Sequence, residues 1–268
     1  SSMIVHPNFD PVAISLGPLT VHWYGLMYLA GFACGLLLGR RRATRPGSGW
    51  QADEIIDLLF YIAVGVIAGG RLGYVIFYNP GYYFSHLGEI IALWDGGMSF
   101  HGGLIGVLVA MGVYARSTDR SYLAVSDFLA PLIPTGLFFG RIGNFINQEL
   151  WGRVTDVSWG VMFYTAPSSL PRHPSQLYEA ALEGVLLFAV LWWFSDTRRQ
   201  PGQVSGLFVL GYGVFRFFVE FYREPDGHIG TVALNWMTMG QLLSVPMIVL
   251  GLYLLLRSGF NKPQALNR

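Results

Sequence analysis

Apolar runs long enough to cross a lipid bilayer constrain this chain more than any other feature. A spanning helix rises about 1.5 Å per residue through a hydrocarbon layer about 30 Å thick, so it needs roughly 20 mostly apolar residues. Windows of that kind fall at 20–39, 55–78, 98–115, 127–147, 176–194, 204–222 and 237–256. Composition agrees: 53% of residues are hydrophobic and 12% are charged, against about 25% charged in a soluble domain. Too few polar side chains remain to cover a water-facing surface, which excludes soluble globular and disordered classes. The expected fold is an all-α integral membrane protein of seven transmembrane helices, forming one membrane-embedded domain over residues 1–268. Shorter apolar stretches at 8–19 and 82–93 carry proline or charge and are expected to lie in the interface. The connection at 148–172, with Trp151, Pro167 and Pro171, is expected to fold into a small cap on the outside.

Lysine and arginine accumulate in cytoplasmic loops, and alternate loops here divide sharply. Arg40, Arg41, Arg42, Arg45, Arg116, Arg120, Arg198, Arg199, Arg257, Lys262 and Arg268 fall on one side; only Arg153, Arg172 and Arg223 fall on the other. That places the N-terminus outside and the C-terminus inside. The net charge of +1 gives no whole-molecule attraction to nucleic acid. A single cysteine, Cys34, excludes an internal disulfide, and without a His/Cys cluster at ligand spacing no structural metal site is expected.

Three arginines, Arg71, Arg141 and Arg216, fall inside the windows. Each costs roughly 2.5–3.5 kcal/mol in hydrocarbon and so requires a partner, water or a ligand. Arg71 lies 16 residues beyond Ile55, or about 24 Å up a helix, in the outer half of its window. Arg141 and Asn144, Arg216 and Glu220, Glu179, Tyr24 and His101 reckon to the same layer. Bland readings compete with a functional one. Arg216 and Glu220, four apart, suit a plain intrahelical ion pair; Arg71 suits snorkelling to the headgroups; Tyr24, among His22, Trp23 and Tyr28, suits an aromatic belt; His101 suits an interfacial hydrogen bond. The glycine pairs at 69–70, 96–97 and 102–103 and the run Gly211-Tyr-Gly read as helix packing.

Arginines lining a site open to the outer leaflet suit an anionic phospholipid headgroup, because a guanidinium matches phosphate with paired, charge-assisted hydrogen bonds. They also suit a departing phosphate, whose developing charge fixed donors stabilise in a water-poor site. A base is then needed only for the incoming nucleophile, and His101, Glu220 and Tyr24 all qualify. The competing class is a transporter of an anionic or lipid-like solute, which calls for midplane sites and an internal repeat. Neither is apparent, and Asp57 and Asp127 read as boundary residues.

The run Gly140-Arg-Ile-Gly-Asn-Phe-Ile-Asn-Gln-Glu-Leu-Trp-Gly-Arg153 resembles the signature of the bacterial phosphatidylglycerol–prolipoprotein diacylglyceryl transferases. The runs His22-Trp-Tyr-Gly-Leu-Met-Tyr28, Trp94-Asp-Gly-Gly-Met-Ser-Phe-His-Gly-Gly103, Arg172-His-Pro-Ser-Gln-Leu-Tyr-Glu179 and Gly211-Tyr-Gly-Val-Phe-Arg-Phe-Phe-Val-Glu220 resemble others, in order. The resemblance implies a cytoplasmic (inner) membrane enzyme, active at the outer leaflet. It would move the diacylglyceryl group of phosphatidylglycerol onto the lipobox cysteine of a preprolipoprotein signal peptide, forming a thioether and releasing glycerol phosphate. No metal and no organic cofactor is implied. Arg141 and Arg216 would hold the headgroup, Asn144, Glu149 and Gly152 would shape the pocket, Tyr24, Tyr212 and Glu220 would complete it, and His101 would assist thiol deprotonation. The reacting thiol is then the substrate's rather than that of Cys34. Gln148 stands where many relatives have glycine.

Overall fold

A computed structural model describes residues 3–78, 80–92, 100–225, 231–233 and 237–257. The glycine pair 96–97, most of the motif from Trp94 to Gly103, Lys262 and Arg268 lie outside these residues. Helix dominates. In chain order the elements are β1 (Ile4–Val5), β2 (Val12–Leu16), β3 (Leu19–His22), α1 (Trp23–Ala43), α2 (Ile55–Tyr78), α3 (Pro80–Ser85) and α4 (Phe100–Ser117). There follow α5 (Tyr122–Leu129), α6 (Ile133–Ile146), β4 (Val161–Met162), α7 (Ser175–Glu179), a wide π-type turn (Ala180–Leu186), α8 (Leu187–Phe194), α9 (Gln203–Val219), β5 (Thr231–Ala233), β6 (Met237–Thr238) and α10 (Met239–Leu256).

By length and composition, Ala52–Phe77, Ser175–Phe194 and Met239–Leu256 are able to cross a membrane. A fourth is added if α5 and α6, bent by 51° across a short break, count as one span. Only 22% of the first window and 17% of the last are buried within the protein, so their outward faces, with Phe60, Ile76, Val249 and Tyr253 exposed, suit lipid rather than water. Two sequence expectations need correction. The window 127–147 is not one straight helix: Pro131 lacks an amide proton and disfavours helix in the residue before it, so the chain breaks between α5 and α6. Nor is the fold purely α. Residues 8–19 contribute to an antiparallel β2–β3 hairpin that turns at Gly17 (φ 60°), and β1 pairs in parallel with β4, and β5 with β6 in antiparallel.

The chain divides into two compact units, Leu36–Ser126 and Ser1–Gly35 with Asp127–Arg268. In the first, α2 and α4 meet along glycines. A Cβ on Gly65 would stand 2.8 Å from the Ala110 methyl, and one on Gly69 or Gly106 would overlap a carbonyl of the facing helix. Lipid offers no hydrophobic drive for helix association, so close backbone contact supplies it. We expect Gly106→Val to destabilise the protein by roughly 3 kcal/mol through overpacking, read as a lowered Tm in detergent; an unchanged Tm would show that the two helices do not depend on this seam. Of the pairs 69–70 and 102–103, Gly69 and Gly102 thus serve packing.

Arg71, buried, donates from Nε to the Ile90 carbonyl (2.8 Å) and from Nη2 to the Glu89 carbonyl (2.8 Å) and the Tyr83 hydroxyl (3.3 Å). It therefore pins the segment 83–90 rather than snorkelling. At another place in this unit Arg120 grips Glu54 at 2.6 and 2.8 Å, stacks 3.8 Å over Trp50, and Tyr114 donates to Glu54 (2.7 Å).

In the other unit, α9 packs on α10 through Gly206, Gly213 and Gly251, and Gly211 faces Leu187 of α8. Asp127 caps α9: its carboxylate accepts from the Gly202 amide (2.8 Å), the Ser205 amide (3.0 Å) and the Ser205 hydroxyl (2.6 Å). An acidic group at a helix N-terminus meets unpaired amides and the positive end of the dipole. Asp127 is thereby accounted for structurally.

The N-terminal strand is latched to the same unit by His6, which is 2% exposed. Its Nδ1 accepts from the Asn8 amide (2.8 Å), so its Nε2 carries the proton and donates to the Phe145 carbonyl (2.7 Å). Burial holds the imidazole below its ordinary value of 6.5, against an opposing effect of the Phe145 carbonyl. A histidine so depressed stabilises fully above pH 6.5, and that stability is lost as pH falls below it, because protonation abolishes the acceptor. We expect the hydrogen-exchange protection of the Asn8 amide to fall between pH 7 and about 5, and a His6→Gln variant to lack that pH dependence; equal dependence in both would refute the latch.

Candidate functional site

The site is assembled on α6, α7, the π turn and α9. Arg141 and Asn144 are three apart and share a face of α6. Tyr212, Arg216 and Glu220 recur every four residues along α9 to its C-terminal cap. Glu179 ends α7, and Glu183 follows on the π turn, a widened helix of the kind frequent at functional sites. Gly184 admits this arrangement: a Cβ there would stand 2.7 Å from the Phe138 Cβ, so the turn lies tight against α6.

Glu179 bridges the two arginines. Its Oε2 is 2.6 Å from Arg141 Nε and its Oε1 3.2 Å from Arg216 Nη1. Arg216 Nη2 also pairs with Glu220 at 3.3 Å, so the intrahelical ion pair exists but is only part of what holds Arg216. From Arg141 the network runs on through Asn144 (Nη1 to Oδ1, 3.4 Å) to Glu149, whose Oε2 accepts from Asn144 Nδ2 at 2.9 Å. Tyr212 faces the Arg141 guanidinium. The Tyr24 ring packs 3.5 Å from where Gly143 would carry a Cβ, and it feels the charges of Glu149 and Arg141. Glu220 rests against Gly240, at the N-terminus of α10, where a Cβ would approach its carboxylate to 2.8 Å.

The loop after α6 is strained into place. Gln148 and Leu150 have φ of 55° and 54°, in the left-handed region that favours glycine. Gln148 offsets this with its side chain: Nε2 donates to Asn8 Oδ1 (2.9 Å) and Oε1 accepts from the Tyr164 amide (2.7 Å). Gln176 and Ser175 at the start of α7 donate to the carbonyls of Glu149 (2.6 Å) and Leu150 (3.1 Å). Gly152 lies where backbones cross: its amide donates to the His173 carbonyl (2.9 Å), its neighbour's amide donates to the Tyr222 carbonyl (2.8 Å), and its own carbonyl accepts from Arg172 Nη1 (3.2 Å). Arg153 donates to the carbonyls of Arg223 (2.7 Å) and Glu220 (3.3 Å), tying this segment to the end of α9.

Exposure sorts the charges. The side chains of Glu179, Glu183 and Glu220 are 1%, 0% and 8% exposed, those of Arg141 and Arg216 16% and 17%. The arginine side chains are thus the more exposed part of the cluster, and the glutamates are buried. Tyr24, Arg141, Asn144, Glu149, Gly152, Tyr212, Arg216 and Glu220 all belong to this unit. His101 belongs to the other, exposed in the first turn of α4. Glu179 has a larger part than its place in a polar layer conveyed, and Glu183 was missed, although two carboxylates inside one apolar window are themselves a signal.

Apolar helices carrying a buried guanidinium–carboxylate cluster define a helical membrane protein. A family model described as "Prolipoprotein diacylglyceryl transferase" matches residues 11–257, and the chain belongs to that family. It is 57% identical over 256 residues to the phosphatidylglycerol–prolipoprotein diacylglyceryl transferase of Nitratidesulfovibrio vulgaris, covering 96% of each chain. It is similar to the proteins of that name from Cupriavidus metallidurans (59% over 252 residues, 93% of each chain) and Bordetella avium (58% over 253 residues, 94% of this chain and 96% of the relative).

Proposed function

We propose that this protein transfers the diacylglyceryl group of phosphatidylglycerol to the lipobox cysteine thiol of a preprolipoprotein signal peptide, the first step of lipoprotein maturation. The observation that carries the reading is the Arg141–Glu179–Arg216 bridge, with the arginine side chains partly exposed and the glutamate buried. Arg141 and Arg216 bind the phosphodiester, with Asn144, Glu149 and Gly152 shaping the pocket and Tyr24, Tyr212 and Glu220 bordering it. The substrate thiolate attacks the diacylglyceryl carbon that carries the phosphate oxygen; a C–S bond forms as that C–O bond breaks, and the electron pair leaves on the oxygen of glycerol phosphate. The phosphate thereby gains a negative charge, which guanidiniums fixed in a water-poor site stabilise more than they stabilise the starting diester. His101 takes the thiol proton in this scheme, a role that rests on the family resemblance.

The same reading has seven spans, the N-terminus outside, the C-terminus inside, and the site facing the outer leaflet of the bacterial inner membrane, supported by the helices at all seven windows and the division of arginines between loops. The whole chain acts as one catalytic domain, with 148–172 as its cap. The test is incubation of the purified protein with phosphatidylglycerol and a lipobox peptide. The peptide should gain the mass of one diacylglyceryl group; no gain, with intact lipid and folded enzyme, would end the proposal.

A further inference from the structure

One carboxylate of the cluster is left without a task in that reaction. Glu183 is 0% exposed, yet its nearer oxygen, Oε2, stands 3.8 Å from Arg141 Nε, beyond hydrogen-bond reach, and neither carboxylate oxygen has a hydrogen-bond partner. Burying a carboxylate without donors is costly. Glu179 stands closer to both arginines: its Oε1 accepts a hydrogen bond from Arg216 Nη1 (3.2 Å), and its Oε2 is in ionic contact with Arg141 Nε at 2.6 Å without hydrogen-bond geometry. An arriving anion draws both guanidiniums toward itself; Arg216 keeps Glu220 besides the shared Glu179, and the further anion beside Arg141 is Glu183.

We propose that Glu183 is a positioning residue for Arg141: it is a second anionic station on the Nε side, keeping that edge turned inward so that the Nη edge meets the phosphate. This rests on the transferase reading above. Both carboxylates lie toward Nε, at 2.6 and 3.8 Å. The Glu183 side chain is more deeply buried than that of Arg141, 0% against 16%, so it stands behind Arg141 rather than in the path of the lipid. Gly184, packed on Phe138, fixes the turn bearing Glu183 against the helix bearing Arg141. The buried carboxylates thus stand behind the two more exposed arginines.

The test compares wild type with Glu183→Gln and Glu183→Asp, purified in detergent and assayed with phosphatidylglycerol and a lipobox peptide, with Tm measured for each. Wild-type turnover confirms that the assay and the transferase reading stand, so the variants report on positioning alone. Glu183→Gln, similar in volume but uncharged, is expected to lower kcat about 10- to 100-fold with the lipid KM changed less than about threefold, and Glu183→Asp to restore part of it. In an Arg141→Lys background, assayed at raised enzyme concentration, Glu183→Gln should change turnover by less than about threefold, because the fork it orients is gone. Wild-type kcat in a folded Glu183→Gln protein, or the same fold loss in both backgrounds, overturns the proposal. Should Glu183→Gln fail to fold, Glu183→Asp carries the test: kcat reduced about tenfold at retained Tm supports positioning, and unchanged kcat overturns it.

Discussion

Replacing Arg141 or Arg216 with alanine is expected to reduce diacylglyceryl transfer at least about a thousandfold, the largest effect in the molecule. Removing one donor aimed at developing charge costs about 10²–10³ in rate, and here the loss goes further. Without Arg141, Glu179 keeps only Arg216 and Glu183 loses the cation it faces, so a buried charge is left uncompensated. Breaking a buried ion pair in this way destabilises by about 3–5 kcal/mol. Lysine separates the two effects. Arg141→Lys and Arg216→Lys retain the charge while losing the fork that matches phosphate oxygens, so they should fold with Tm near wild type and still lose about a hundredfold in kcat. Turnover per folded molecule and Tm in detergent check this; a folded alanine variant with full activity would remove that arginine from the reaction.

Gly152→Ala is expected to be nearly as damaging for another reason. A Cβ at this position would stand 2.6 Å from the Tyr222 carbonyl oxygen and 2.7 Å from the His173 Cβ, and would overlap the His173 carbonyl. The obstacles are backbone, so no side chain is able to turn away. The hydrogen bonds of Gly152 to His173 and of Arg153 to Tyr222 must open together, separating the loop after α6 from α7 and from the end of α9. We expect loss of activity above about a hundredfold, with protease sensitivity appearing between residues 148 and 173, since opening such a backbone contact exposes the chain. An active, protease-resistant Gly152→Ala protein would show that the crossing tolerates a side chain.

How far the site was legible in the sequence varies with the range of the contacts. Arg216 and Glu220 share a helix face, so their pairing follows from spacing, but the bond from Arg216 to Glu179 spans 37 residues and needs the tertiary fold. Arg71 shows the same limit: snorkelling and pocket both suited a lone arginine in an apolar window, whereas its carbonyl partners lie 18 and 19 residues away. The break at Pro131 has a local cause, yet the sequence reading carries one span across it. The π turn was not legible, because its close contact with Phe138 at Gly184 belongs to the tertiary fold. Gln148 became intelligible only with its backbone known. A left-handed φ explains why glycine suits the position, and the hydrogen bonds to Asn8 and Tyr164 explain how glutamine is held there. His101 is recognised by its motif and belongs to the other unit.

The most direct measurement is an experimental structure with a non-reacting ether analogue of phosphatidylglycerol bound. Its phosphate oxygens should lie within about 3 Å of guanidinium nitrogens of both Arg141 and Arg216, with Glu179 still bridging the arginines from behind. A phosphate bound elsewhere, with that bridge undisturbed and no anion in contact with it, would contradict the account.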